Sequence, residues 1–280
     1  LLNALTIDIE DYFMVSAFSG VVSFGDWKSY ESRVEKATAD VLALLGGHDL
    51  KATFFILGWV AEHHPAIVRE IASNGHEIAC HGYNHRLAYD LSRDEFREDI
   101  RKSKGIIEGI SGMPVRGYRA PSYSITRESM WALDVLIEEG FAYDSSIFPI
   151  HHDRYGYPDF SRFAVNLDRD GVGNILELPL STVRLFGKNI PIAGGGYLRM
   201  FPIKFLEWGI RYLNKTERQP AIIYFHPWEL DTGQPRLNGT GFSKFRHYVN
   251  IDKTAAKLER LIERFRFGTI EEVFAERLKR

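Results

Sequence analysis

Cysteine is almost absent from this chain, Cys80 being the only one. An intrachain disulfide is therefore excluded, and a reducing compartment fits. No stretch approaches the about 18 consecutive apolar residues of a membrane-spanning helix, and no basic segment followed by an apolar run opens the chain at Leu1. A cytoplasmic location is expected. An excess of one charge is lacking as well: 35 basic against 37 acidic residues leave a net charge of -2, which gives neither nucleic acid nor an anionic membrane a surface to hold. The basic residues that gather at 257–266 and 277–280 are interleaved with acids, the pattern of a solvated helix face. Low-complexity tracts are missing. The run Gly194-Gly195-Gly196 lacks the Lys-Ser/Thr that follows a phosphate-cradling loop, so it reads as flexible backbone or a point of close approach.

What is present is an ordinary globular composition, 45% hydrophobic, over 280 residues. That length suits a single α/β barrel, which commonly runs to about 250 residues. Apolar, β-branched runs at 5–9, 52–57, 77–80, 117–120, 143–146, 175–178 and 221–225 predict seven strands. Segments 33–45, 65–73, 93–110 and 127–139 place apolar residues near helical spacing. Strand and helix alternate, which predicts a parallel sheet with crossovers. Ser92 with Glu95 has the spacing of a capping box, and Gly75 and Gly140 follow helical runs where a left-handed stop favours glycine. Residues 150–174, rich in turn formers and histidine, read as an excursion between strands. There is no internal repeat or linker.

Polar residues cluster where these apolar runs end. Asp8, Glu10 and Asp11 close the first, His81 the third, Arg119 the fourth, Asp144 the fifth and His226 the last. In a parallel barrel those ends share one face and can converge on one pocket. The pair His81-x-x-x-His85 suits zinc or a similar divalent ion when a carboxylate joins it. Alone it says little, since His63-His64 and His151-His152 show how readily such pairs arise. Three acids within four residues change the balance, because burying them needs a cation or basic partner. Arg119, beside Ala120 and Pro121, is placed to pair with a buried carboxylate. Taken singly, His226 would be a core histidine bonded to a carbonyl.

Together these residues resemble the polysaccharide deacetylase superfamily, a carbohydrate esterase group. Thr6-Ile7-Asp8-Ile9-Glu10-Asp11 is similar to its first motif, His81-Gly82-Tyr83-Asn84-His85 to its second, Arg119-Ala120-Pro121-Ser122-Tyr123-Ser124 to its arginine motif, and Tyr224-Phe225-His226 to its last. Residues 5–13, 117–148, 194–199, 224–229 and 245–248 look like the subgroup tied to exosortase-linked exopolysaccharide systems. The resemblance implies an α/β fold, a distorted (β/α)7-type barrel, with 1–280 as one catalytic domain and 228–280 an extension packed on the barrel. It also implies a metal-dependent N-deacetylase acting on an acetylated amino-sugar polysaccharide or lipid-linked oligosaccharide, at the inner face of the membrane. A divalent ion, most often zinc, would be held by His81, His85 and either Glu10 or Asp11. The family's adjacent Asp-Asp is replaced here by Asp8-Ile9-Glu10-Asp11, and strand alternation, which puts Asp8 and Glu10 on one face, favours Glu10. Asp8 would be the general base, oriented by Arg119. A backbone N–H near Tyr123 would stabilise the oxyanion, and His226 would protonate the departing amine with Asp144 in support. Tyr123, Asp144 and Trp228 are the expected substrate contacts. Two other readings keep the barrel: a ring-opening amidase similar to allantoinases, and a non-catalytic sugar binder using Tyr83, Tyr123, Tyr197 and Trp228.

Overall fold

The computed structural model describes residues 1–152 and 154–279. Strand β1 (Leu2–Ile9) is buried from its second residue to its end, as an apolar run requires at the centre of a parallel sheet. After it come α1 (Val34–Gly47), β2 (Thr53–Ile56), α2 (Gly58–His63), α3 (Pro65–Ser73), β3 (Glu77–Cys80), α4 (Arg93–Ser111), β4 (Gly117–Tyr118), α5 (Trp131–Glu138) and β5 (Tyr143–Asp144). The second half contains β6 (Val165–Arg169), β7 (Gly173–Glu177), β8 (Thr182–Leu185), β9 (Lys188–Pro191), α6 (Gly196–Met200), α7 (Ile203–Tyr212) and β10 (Ile222–Phe225). It ends in α8 (Gly241–Tyr248), α9 (Thr254–Arg264), β11 (Arg266–Gly268), α10 (Ile270–Val273) and α11 (Ala275–Leu278). No helix among the described residues is long and apolar enough to cross a membrane.

The sheet runs in the order β10-β1-β2-β3-β4-β5-β7-β6, with β11 paired to the start of β1. The seven strands expected from the apolar runs are β1, β2, β3, β4, β5, β7 and β10, and each pairs parallel with its neighbour among them. The exception is β6, antiparallel to β7, which lies inside the 150–174 excursion. Its alternating half-buried and exposed residues carry too little hydrophobic signal to mark a strand. The fold is α/β with a mostly parallel, barrel-like sheet flanked by helices. Its ring is interrupted between β7 and β10, where residues 178–194 fill the gap: Leu178 N–H donates to Asp144 O at 2.8 Å, and Tyr224 N–H to Ala193 O at 2.7 Å.

Two apolar clusters hold the layers. The larger lies between the sheet and its helices; the smaller fills the barrel with Phe55, Tyr143, Phe148, Leu178 and Tyr224. Helix punctuation follows the chemistry of the ends. Ser92 and Glu95 form the reciprocal capping box of α4, and Gly75 and Gly140 sit at φ 72 and φ 76 after their helices. The C-terminal segments cover the rest: α8 touches residues 16–18, and α10 packs on β1.

The glycine run is a point of close approach. Gly194 has φ 138, and a Cβ there would stand 1.8 Å from Tyr224 O; one on Gly195 would stand 2.4 Å from the Tyr224 hydroxyl. Gly194→Ala is therefore expected to destabilise the fold by roughly 2–4 kcal/mol, through overpacking plus backbone strain. Gly105→Ala, on α4 with nothing within 4 Å, is expected to stabilise it by about 0.4–1 kcal/mol. Urea denaturation of the two variants checks both signs.

Candidate active site

The strand ends converge as a parallel barrel requires. Asp8 and Arg119 meet inside it, 3% and 0% exposed, at 2.7 Å. The guanidinium also donates to Thr6 Oγ1 at 2.8 Å, to Ser145 O at 3.1 Å and to Ser145 Oγ at 3.1 Å, and lies 4.0 Å over the Phe55 ring. Every direction in which this cation could seek water is closed by an acceptor or a ring. Asp8 is thereby held at one orientation on the floor of a cavity of about 430 Å³.

Two residues along β1 direction, on the same face, Glu10 meets the histidines. One ligand atom each from Glu10, His81 and His85 lie within 4.8 Å of one another. The histidines belong to the loop after β3, where Gly82 at φ 74 and His85 at φ 58 turn the chain sharply enough to bring both rings inward. His81 Nδ1 lies 2.7 Å from Arg119 O, so it carries the proton and leaves Nε2 with a free lone pair. His85 Nε2 lies 2.9 Å from Glu10 Oε2, yet that buried oxygen has no aligned hydrogen-bond donor. A carboxylate oxygen without a donor beside two imidazoles is a donor set suited to a divalent cation. The residues present fit such an ion.

Asp11 is not part of this group. Its Oδ2 accepts from Arg33 N–H at 2.8 Å, Val34 N–H at 3.1 Å and Ser32 Oγ at 2.8 Å, and its Oδ1 from Tyr12 N–H at 2.9 Å. It caps the first turn of α1 from a distance, satisfying N–H groups that the helix itself leaves free. Of the two carboxylates left open by the sequence, the structure brings Glu10 to the histidines and turns Asp11 to the fold.

His226, at the end of β10, completes the floor. Its Nε2 lies 3.4 Å from Glu10 Oε1 and 3.9 Å from Asp8 Oδ2, and its Nδ1 lies 2.6 Å from Glu229 Oε1. Burial works against its charge, but Glu10, Glu229 and Asp8 outweigh that and hold its pKa up at about 9. For Glu10, burial pushes upward, and the charges of His85 and His226 overcome it to leave the carboxyl at about 2. Burial dominates at His81, pulling it down to about 4, so it is a neutral imidazole at pH 7.

Several expected contacts fall elsewhere. Asp144 does not support His226: it is fully buried, accepting from Ser146 Oγ at 2.6 Å and Ser146 N–H at 3.2 Å, with Glu177 as its carboxyl neighbour. Burial raises both pKa values. Asp144 acts instead through Ser146, whose Oγ accepts from Ala120 N–H at 2.7 Å and steadies the Arg119 loop. The carboxylate that does hold His226 is Glu229, itself bound to the buried Arg199. The spacing His226-x-x-Glu229 was the available signal, obscured because it looks like an ordinary turn. Trp228 is only 4% exposed, stacked between His226 at 5.1 Å and His247 at 4.1 Å, and its Nε1–H donates to Glu10 Oε1 at 3.2 Å. It is a strut for the metal-facing carboxylate more than a sugar platform. Tyr123 lines the cavity, but its N–H already donates to Ala120 O at 3.0 Å. Ser122 and Tyr123 are both left-handed, at φ 51 and φ 56, a strained pair beside the reactive groups.

Residues 21–136 match the polysaccharide deacetylase family, and residues 145–275 match a domain of unknown function, DUF3473. A peptidoglycan-N-acetylglucosamine deacetylase of Bacillus cereus is 37% identical over 98 residues, 35% of this chain and 36% of that protein. A chitooligosaccharide deacetylase of Sinorhizobium fredii is 36% identical over 151 residues, 52% of this chain and 61% of that protein. The chain thus spans less than two thirds of either relative's length. The crystal structure of a putative polysaccharide deacetylase from Mycobacterium smegmatis superposes with a TM-score of 0.67 at 21% identity, covering 98% of this chain and 90% of the other, so the fold is shared along its length. The family match includes His81, His85 and Arg119, the side chains that meet Glu10 and Asp8 on the cavity floor, so the segment similar to polysaccharide deacetylases is the one that builds most of that floor.

Proposed function

We propose that this chain is a metal-dependent hydrolase that removes acetyl groups from N-acetylated amino sugars. The observation that carries the reading is the Glu10-His81-His85 group on the cavity floor, beside a base held by arginine and a histidine held by a carboxylate. Glu10, His81 and His85 would hold a divalent ion, zinc by its preference for such ligands. Bound there, it would supply Lewis-acid polarisation of the acetamide carbonyl and a more acidic water. Asp8, fixed by Arg119, accepts the proton of the attacking water. His226, charged through Glu229 and the floor carboxylates, donates a proton to the departing nitrogen, and amine and acetate result. Arg119 and Glu229 position these two groups without touching substrate.

The named activities of the relatives support an acetylated amino-sugar polymer as the substrate class. The resemblance of residues 194–199 and 224–229 to exopolysaccharide-linked proteins supports an exopolysaccharide or its lipid-linked precursor, handled on the cytoplasmic side.

Metal analysis of the purified protein is expected to show near-stoichiometric divalent ion after zinc is supplied, lost in Glu10→Ala and in the His81→Ala/His85→Ala double variant. Asp11→Ala should keep the metal and lose about 0.5–2 kcal/mol of stability, as a removed helix cap does. Metal retained in Glu10→Ala and lost in Asp11→Ala would reverse the ligand assignment. Trp228→Phe, which keeps a stacking ring but removes the N–H to Glu10, is expected to weaken zinc about 10-fold in competition with a chelator. Acetate release from N-acetylglucosamine oligomers tests the reaction; no release from the zinc-loaded protein, on oligomers of any length, counts against it.

A further inference from the structure

A stripe of aromatic rings leaves the cavity and continues along α7. Tyr197 on α6, Phe201 just past its end, and Phe205, Trp208 and Tyr212 on α7 recur three or four residues apart. Successive ring centroids lie 6.0, 5.2, 5.6 and 5.5 Å apart. Tyr197 is part of the cavity wall, so the stripe begins inside the site. Leu206, Gly209 and Ile210 form the buried face of α7, and Phe201, Phe205 and Tyr212 pack against the core at its margin, each with part of its ring left to solvent. Trp208 is 39% exposed and the other four rings are half-buried. A surface helix ordinarily turns polar side chains outward, and on α7 the indole of Trp208 stands exposed between Lys204 and Arg211 in that place. Across the cavity mouth, Phe242 and Phe245 of α8 are exposed as well.

We propose that this stripe is a binding track for the polysaccharide chain that flanks the sugar held over Asp8 and Glu10. Flat rings suit the apolar C–H faces of pyranoses. Continuity with the cavity selects the occupant: a chain whose one residue sits at the floor must leave past the cavity lining, and from Tyr197 in that lining the ring-to-ring contacts lead on to Trp208. The four ring-to-ring steps from Tyr197 to Tyr212, each between 5.2 and 6.0 Å, trace a path on the order of 20 Å, the reach of several hexose units. An isolated amino sugar fills the cavity alone and gains nothing from Phe205 or Trp208. The identity of the occupant rests on the deacetylase reading.

Calorimetry with the N-acetylglucosamine hexamer and dimer tests the track, using wild type, Phe205→Ala/Trp208→Ala and Trp208→Phe. Binding is read directly, so it reports on the track whether or not acetate is released. The expected result is a wild-type preference for hexamer over dimer of 10-fold or more, reduced at least fivefold in the double alanine variant and largely restored in Trp208→Phe. Equal losses for dimer and hexamer, or no hexamer preference in wild type, overturns it. So does sedimentation showing a wild-type dimer that the double variant dissociates, since the stripe would then be an interface between copies. Track-dependent hexamer binding without acetate release would leave the track standing and remove the deacetylase reading; acetate release insensitive to chain length would do the reverse.

Discussion

The buried pair between Arg119 and Asp8 is the constraint around which the site is arranged. A fully enclosed guanidinium is tolerated only where its donors are matched, and removing one partner of such a pair typically costs about 3–5 kcal/mol. Here the acceptors come from β1, through Thr6 and Asp8, and from Ser145, the residue after β5. Thr6 in turn donates to Ile223 O at 3.0 Å, and Ser145 Oγ to Leu178 O at 2.9 Å. One cation therefore ties together strands that would otherwise meet only through their neighbours. The backbone carbonyl of the same arginine fixes the His81 ring, so the Asp8 carboxylate and the His81 imidazole share a single anchor.

Much of this was legible in the order of residues, and the reason is topological. In a parallel barrel all strands point the same way, so a polar residue that ends an apolar run must reach the common face whatever its distance along the chain. Asp8, His81, Arg119 and His226 obey that rule. Asp144 ends a run too, yet its side chain is taken by Ser146 and Glu177 before it reaches the cavity. Position at a strand end brings a residue near the face; local acceptors and donors decide which way it points. Asp11 makes the same point, since the free N–H groups at the start of α1 claim it while Glu10, one residue earlier, faces inward.

What could not be read depended on contacts across long separations. Strand β6 is too exposed and the hairpin β8–β9 too short to show a hydrophobic period, and the stacking of Trp228 on His247 joins residues whose spacing carries no rule. Burial and Arg199 together keep His247 neutral at pH 7, with its pKa lowered to about 3, so the stack adds no charge beside His226. Helix α8 thus reaches the reactive floor through one ring, and its two exposed phenylalanines form part of the cavity mouth.

The sheet order also imposes a schedule on synthesis. Strand β1 leaves the ribosome well before β10, yet one of its edges is reserved for that strand, and the Asn3 side chain that receives Ala221 N–H must wait for a residue 218 positions further on. At about 5–20 residues per second, that edge stays open for on the order of ten to forty seconds, an apolar strand with unpaired N–H and C=O groups. Asp8 is made 218 residues ahead of His226, the histidine that faces it. Until then the nascent protein has the floor of a site without one wall, and is at its most adhesive to other chains.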